Sequence, residues 1–205
     1  KMNGVEVSRY KYLSGNHQKV AYGAGIIPNI KSSVLAKAQI PSFLLSQYLS
    51  AFNILKTEKP DLIHAHWIIP QGVIGAYLKK KFKIPLITTI HGSDLFPIKN
   101  KILVKFQKYA VDNSDAITIN TESAFDELIS RFPHAKAKTH IIPMGIDTKL
   151  FRKIPSKNSG KSYAKNKTKK ILFVGRLNEQ KGVEYLIKSL SIVAKKISGV
   201  RLVIV

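Results

Sequence analysis

The chain has 205 residues, of which 44% are hydrophobic, and its 34 Lys and Arg face 12 Asp and Glu, which gives a net charge of +22. This length allows one large domain, or one domain and part of a second, and the hydrophobic share is sufficient for a core. The absence of Cys excludes disulfides and thiolate sites, and without a signal peptide or an apolar run of membrane-spanning length we expect a cytoplasmic protein.

Apolar runs alternate with stretches of helical period along the first 143 residues. The predicted strands cover 5–13, 61–66, 85–90, 116–120 and 139–143, and the predicted helices cover 32–56, 71–82, 102–111 and 123–131. Pro41 is expected to kink or divide the first helix, and Gly72, Gly75 and Ala76 permit close packing of the second helix on a sheet. Because strands and helices alternate with short connections, the pattern predicts a doubly wound α/β domain with a parallel sheet.

A polar, Lys-rich segment without helical or strand period follows at 152–168, and its composition predicts an exposed linker. Beyond it the sequence predicts a strand at 170–175, a helix at 182–196 and a strand at 200–205. The apolar stripe of that helix is expected to comprise Tyr185, Leu186, Leu190 and Val193. One strand–helix–strand unit buries too little surface to be stable alone. We therefore predict a first domain at 1–151 and only the start of a second at 169–205.

The basic charge is unevenly distributed, because nine cations and no acid lie between Lys149 and Lys170. Such a surface attracts polyanions, which include nucleic acids, anionic lipid headgroups and phosphorylated substrates. Charge alone does not choose among them, and a merely solvated basic surface is the alternative.

The stretch FVGRLNEQKG, at 173–182, combines a strand end with two cations. Ligands of α/β sheets bind beyond the carboxyl ends of the strands, and Gly175 there allows an unusual backbone angle and a close approach. Arg176 supplies paired donors, Lys181 a point charge, and a helix from about Gly182 its free N–H groups. These features fit a diphosphate clamp, although a strand-to-helix turn with solvated cations fits equally well.

Polar residues also follow the predicted strand at 85–90, and they are His91, Gly92, Ser93 and Asp94. His91 is positioned to hydrogen-bond a ligand in a cleft, and the alternative is a histidine that satisfies a loop backbone. His64 and His66 lie on one face of the preceding strand end, since strand side chains alternate. They could line a binding cleft or bind a metal, but two histidines without a third ligand make a weak metal site. We interpret His64 as structural, and we take His66, Gly92, Ser93 and Asp94 as candidate cleft residues.

Several of these stretches together resemble one family. GRLNEQKGVEYLIKSL resembles the signature that opens the second domain of retaining glycosyltransferases of family 4, the "glycosyl transferases group 1", which have the GT-B fold. PDLIHAHWIIPQG and PLITTIHGSD resemble first-domain strands of such enzymes, especially those that make surface polysaccharides, and IIPMGIDTKLF resembles their interdomain segment. The resemblance covers nearly all of residues 58–205.

The resemblance implies two facing Rossmann-like domains, of which the first, at 1–151, is the acceptor side and the second, which starts at 169, binds the nucleotide sugar. It also implies transfer of a sugar, with retention, from a nucleotide diphosphate sugar to a glycan or lipid-linked acceptor. Arg176 and Lys181 would hold the pyrophosphate of the donor, and His91 would approach its sugar. Neither a cofactor nor a metal is expected, and the absence of an Asp-x-Asp motif argues against a metal-dependent GT-A transferase.

The chain also departs from the family pattern. The glycine-rich loop after the first strand is not visible, the acidic E-x7-E motif would lie beyond Val205, and Met144 stands where Asn is common. We therefore expect residues 1–205 to be a truncated fragment that cannot complete the reaction alone.

Two other functions remain open. One is a GT-B nucleotide-sugar epimerase, and the other is a non-enzymatic basic module that binds an anionic membrane or, less in keeping with the motifs, nucleic acid. Contact with the inner face of a membrane is also compatible with the transferase. The lysines that could supply it are Lys79, Lys80, Lys81 and Lys83, although the solvated end of a helix explains them as well.

Overall fold

A computed structural model describes residues 4–23, 26–152 and 169–205. The chain separates into two compact units, Lys1–Gly145 and Ile146–Val205, and each is described by itself. Almost all of the predicted linker at 152–168 lies outside the described residues, and the predicted domain limits stay predictions.

The first unit has the alternating order that the sequence predicts. Its helices and strands are α1 (Ile26–Ser32), α2 (Val34–Ala38), α3 (Ile40–Glu58), β1 (Ile63–His66), α4 (Val73–Phe82), β2 (Leu86–Ile90), α5 (Lys101–Asn113), β3 (Ala116–Ile119), α6 (Glu122–Arg131) and β4 (Thr139–Ile141). The strands form one sheet in the order β1-β2-β3-β4, and every pair is parallel. The predicted parallel α/β sheet is confirmed, and all four carboxyl ends lie along one edge.

The core of this unit lies between the apolar strands and the helices packed on them. Its largest fully buried side chains include Ile68, Leu78, Leu86, Ile90, Leu95, Ile117, Ile119 and Leu128. Gly75 shows why α4 needs small residues, because a Cβ atom there would lie 2.9 Å from Cδ1 of Leu86. The predicted close packing of this helix on the sheet is confirmed.

The predicted strand at 5–13 is wrong. Apart from an isolated bridge at Val5, these residues are not part of a strand. Tyr12 is buried instead by α3, where its ring packs edge-on against Phe43 at a centroid distance of 5.2 Å. The Tyr12 hydroxyl accepts a hydrogen bond of 2.9 Å from the N–H of Val20. Val5 and Val7 remain exposed, so the segment contacts the core through its tyrosines and not through one buried strand face.

The predicted helix at 32–56 is divided, as Pro41 suggested, because α3 begins at Ile40 with this proline in its first turn. A second break falls at Ser33, whose hydroxyl accepts a hydrogen bond from the N–H of Ala36 and caps α2. The apolar positions do not form one buried stripe, since α3 buries only Phe43 and Leu55. Within the described ranges, no helix is both long and apolar enough to cross a membrane.

The second unit contains β5 (Lys169–Phe173), α7 (Val183–Lys196) and β6 (Val200–Ile204), and its two strands are parallel. The predicted strand–helix–strand unit is confirmed. Leu186, Leu190 and Val193 of α7 are partly buried, as expected. Tyr185 is not part of this stripe, because it is 67% exposed and lies below the ammonium group of Lys188.

Candidate functional site

A pair of histidines marks the carboxyl edge of the sheet in the first unit. His66 ends β1, and His91 follows the last residue of β2. Nδ1 of His66 lies 3.0 Å from Nε2 of His91, and the rings stack at a centroid distance of 5.3 Å. Since a single hydrogen lies between these two nitrogens, at least one ring must be neutral while the contact persists.

His64 belongs to the same ladder of rings but has an internal partner. Its ring centroid lies 4.5 Å from that of His66, which confirms that both share one face of β1. Nε2 of His64 lies 2.7 Å from the Thr89 hydroxyl, which is itself 2.6 Å from the hydroxyl of Thr118. This chain of contacts across β1, β2 and β3 agrees with the structural interpretation of His64.

The loop after β2 is fixed by Asp94, whose side chain is only 4% exposed. One carboxylate oxygen accepts the N–H of His91 at 3.0 Å, and the other accepts the N–H of Ile68 at 2.7 Å. Asp94 therefore joins the loops that follow β1 and β2. The carboxylate of Asp94 faces these backbone donors, and its assignment as a cleft residue stays a prediction.

Gly92 and Ser93 occupy the turn between His91 and Asp94. Gly92 has a φ of +82°, a conformation that L side chains rarely adopt, and its carbonyl oxygen accepts the N–H groups of Leu95 and Phe96. Ser93 is exposed. The predicted glycine thus shapes the turn, while Ser93 and the two rings of the pair present polar atoms at the surface.

Two residues that the sequence did not indicate, Gln107 and Arg131, donate hydrogen bonds to the loop that follows β2. Gln107 of α5 is fully buried, and its amide nitrogen donates a hydrogen bond of 2.8 Å to the carbonyl oxygen of Asp94. Arg131 of α6 donates to the carbonyl oxygen of Ile98 at 2.8 Å and forms an ion pair with Glu127. The loop is therefore held in one conformation before any ligand arrives, which is a requirement of a precise binding site.

The pKa values reflect this arrangement. Burial lowers the pKa of His66, and the neighbouring rings of His64 and His91 lower it further. Burial raises the pKa of the Asp94 carboxyl, whereas the N–H donors of Ile68 and His91 oppose that change. The lowered pKa therefore favours the neutral form of His66.

The lowered pKa of His66 predicts a pH dependence of stability. Below the ordinary histidine pKa of 6.5, the unfolded chain takes up a proton at residue 66 more readily than the folded protein. The contribution of His66 is thus complete above about pH 6.5 and is lost as the pH falls through its folded-state pKa. We expect His66→Asn, which keeps a polar contact to His91, to lose less stability than the wild type between pH 7.5 and pH 5. Urea unfolding at several pH values measures this difference.

His17→Asn is the matched control for that experiment, because His17 is exposed and lies in a different part of the unit. It should reproduce the wild-type pH dependence more closely than His66→Asn does. Equal pH dependence of the wild type and His66→Asn would contradict the prediction.

The second unit places the cations of FVGRLNEQKG between β5 and α7. Arg176 and Lys181 are exposed, and among the residues that the structure describes neither forms an ion pair. The side chain of Asn178 accepts the N–H of Lys181 at 3.2 Å and closes a short helical turn at Glu179–Lys181. The start of α7 has no side-chain cap. The turn therefore offers two unpaired cations beside a helix N-terminus.

Two glycines shape this turn in different ways. Gly182 has a φ of +61° and leads directly into α7. Gly175 does not have a positive φ, and its N–H donates to the carbonyl oxygen of Val205 at 3.1 Å. The expected unusual backbone angle at Gly175 is therefore wrong. A Cβ atom there would lie 3.4 Å from the ring of Phe173.

Three lysines at the end of α4 have partners within the first unit. Lys79 donates to the carboxylate of Asp115 at 2.6 Å, at the amino edge of the sheet and opposite the histidines. The ammonium groups of Lys80 and Lys81 lie over aromatic rings, at 4.9 Å and 4.7 Å from the ring centroids. Contact of this end with a membrane stays a prediction.

No group of three or more His, Asp or Glu is arranged to hold a metal ion within residues 4–23, 26–152 and 169–205. The expectation that the reaction uses no metal stays a prediction.

The sequence matches two family profiles. Residues 3–150 match the profile described as Glycosyltransferase Family 4, and residues 156–205 match Glycosyl transferases group 1. An uncharacterised glycosyltransferase of Methanocaldococcus jannaschii is 34% identical over 176 residues, which are 85% of this chain and 46% of that protein. A D-inositol 3-phosphate glycosyltransferase of Corynebacterium glutamicum is 26% identical over 214 residues, covering 92% of this chain and 50% of the relative.

Solved structures agree on the fold. The Anabaena protein HepE, crystallised in complex with UDP and glucose, matches 84% of this chain and 44% of its own chain with a TM-score of 0.56 and 20% sequence identity. This likeness supports a Rossmann-like α/β architecture of the GT-B type. The chain spans about half the length of the curated relatives that it matches.

Proposed function

Because this chain belongs to glycosyltransferase family 4, we propose that it serves the transfer of a sugar from a nucleotide diphosphate sugar to a glycan or lipid-linked acceptor. We further propose that the configuration of the transferred sugar is retained and that the product is a surface polysaccharide or glycoconjugate. HepE was crystallised with UDP, which supports a nucleotide donor here as well.

The turn between β5 and α7 is the observation that carries this proposal. Arg176 and Lys181 are exposed and unpaired within the described part of the chain, and they flank a capped turn that leads into a helix N-terminus. A departing diphosphate gains negative charge as the bond to the sugar breaks. The paired N–H groups of Arg176, the ammonium group of Lys181 and the helix N-terminus would stabilise that charge.

His91 is proposed to position the sugar of the donor. Its backbone N–H is held by Asp94 and its ring by His66, so the side chain is ordered without a ligand. An ordered side chain loses little conformational entropy on binding, which is the benefit of preorganisation. The cytoplasmic location and the inactivity of residues 1–205 alone stay predictions.

Isothermal titration calorimetry of UDP, GDP and ADP with the full-length protein, at two salt concentrations, tests this function. We expect saturable binding with a clear preference for one base. If the three nucleotides bind equally, without saturation, and binding falls steeply with salt, the basic-module interpretation replaces the transferase.

A further inference from the structure

Trp67, the only tryptophan of the chain, is exposed directly beside the histidine pair. It follows His66 at the end of β1, and 36% of its surface is accessible. Ligands of parallel α/β sheets bind at the edge where Trp67 lies, beyond the carboxyl ends of the strands.

The backbone holds Trp67 in an unfavourable conformation. Its φ is +79°, although a bulky residue is rarely found at positive φ. Two hydrogen bonds fix this conformation, since its N–H donates to the carbonyl oxygen of Thr89 at 2.8 Å and its own carbonyl accepts the N–H of Gly72 at 2.9 Å. Strain of this kind collects at binding sites, where the surrounding structure maintains it. A glycine would fit this backbone better, so the bulky residue at this position carries a conformational cost.

Trp67 directly follows His66, whose ring contacts that of His91 at 3.0 Å between Nδ1 and Nε2. The loops that carry Trp67 and His91 are joined by Asp94, which accepts the N–H groups of Ile68 and His91.

This combination matches the chemistry of a sugar ring. A pyranose has one face of C–H groups, which pack on an aromatic ring, and a rim of hydroxyl groups, which bond to imidazole nitrogens. We propose that Trp67 is the stacking platform for a sugar ring of the acceptor, so that the acceptor ends in a sugar. This inference rests on the proposed glycosyl transfer.

Fluorescence provides a direct test, because Trp67 is the sole source of tryptophan emission. The probes are the methyl glycosides of glucose, galactose, mannose and N-acetylglucosamine, with glycerol 3-phosphate as a control that lacks a sugar ring. We expect a saturable change in emission with at least one glycoside in the millimolar range and none with the control. No saturable change with any glycoside at several hundred millimolar would overturn the proposal.

Variants of Trp67 distinguish the loss of the aromatic ring from a loss of folded structure. Trp67→Tyr keeps an aromatic face, and Trp67→Gly removes the ring while it suits the positive φ, so both should fold, as circular dichroism would verify. Saturation-transfer NMR measures binding of the preferred glycoside. Its dissociation constant should be within a few-fold of the wild-type value for Trp67→Tyr and at least tenfold higher for Trp67→Gly. Equal binding by Trp67→Gly would overturn the assignment.

Competition with the nucleotide sugar shows whether Trp67 contacts the donor or the acceptor. Parallel binding of nucleotides and glycosides shows whether the platform or the transferase function fails. If the preferred nucleotide sugar displaces the glycoside, the ring belongs to the donor and the acceptor assignment is wrong. If nucleotides bind through Arg176 and glycosides do not bind, only the platform fails. If glycosides bind through Trp67 and nucleotides do not bind, the proposed transferase function fails while the sugar site stands.

Discussion

Replacing Arg176 by alanine is expected to weaken the binding of the preferred nucleoside diphosphate by about ten- to a hundredfold, and Lys181→Ala should act similarly. A hydrogen bond to a charged group is worth roughly 1.5–3 kcal/mol, and each 1.4 kcal/mol corresponds to a tenfold change in the dissociation constant. Both side chains are exposed, so their removal should not disturb the fold. Calorimetric titration of each variant measures the loss.

Arg176→Lys distinguishes geometry from charge. Lysine keeps the positive charge but cannot offer two parallel N–H donors to a phosphate. We therefore expect an affinity between those of the wild type and Arg176→Ala. An affinity equal to that of the wild type would mean that only charge matters at this position.

Arg201→Ala is the matched control, because it removes an exposed cation from β6 of the same unit but not from the turn. It should leave the dissociation constant within about twofold of the wild-type value. If it weakens binding as much as Arg176→Ala does, the interaction follows the net charge of +22, and FVGRLNEQKG is an ordinary strand-to-helix turn.

The sequence predicted the parallel sheet correctly, because the pattern that identifies each strand lies within that strand and its flanking turns. The strands β1 to β4 are short apolar runs bounded by turns, and a parallel sheet follows once helices alternate with them. The segment 5–13 shows the limit of this reasoning. The sequence there predicted a strand, but a strand also needs a neighbouring backbone, which the sequence does not identify.

The positions of the two histidines were predicted from the sequence, but their contact was not. His66 and His91 were both expected at strand ends, yet their pairing depends on the register of β1 against β2, in which His66 lies opposite Thr89. Gln107 gave a weak signal, since it is a polar residue three positions after Val104 and four before Val111, on the apolar face of α5. Arg131 gave none, because an arginine near a helix end is usually solvated.

Asp94→Ala is expected to lower the free energy of unfolding by about 2–4 kcal/mol. The substitution leaves the N–H groups of His91 and Ile68 without their acceptors, and each unsatisfied buried donor costs about 1–3 kcal/mol. The cost of burying the carboxylate, which raises its pKa, disappears at the same time and keeps the net loss below the sum of the two. Urea unfolding at neutral pH measures the change.

Asp94→Asn is the control that separates charge from hydrogen bonding. Its amide oxygen can accept one of the two N–H groups, but its NH₂ group faces the other donor, so we expect a loss of stability smaller than that of Asp94→Ala. If burial of the charge were the dominant effect, Asp94→Asn would instead be more stable than the wild type. That result would mean that the two loops are held mainly by Gln107 and their own packing, and that the carboxylate is kept for binding rather than for folding.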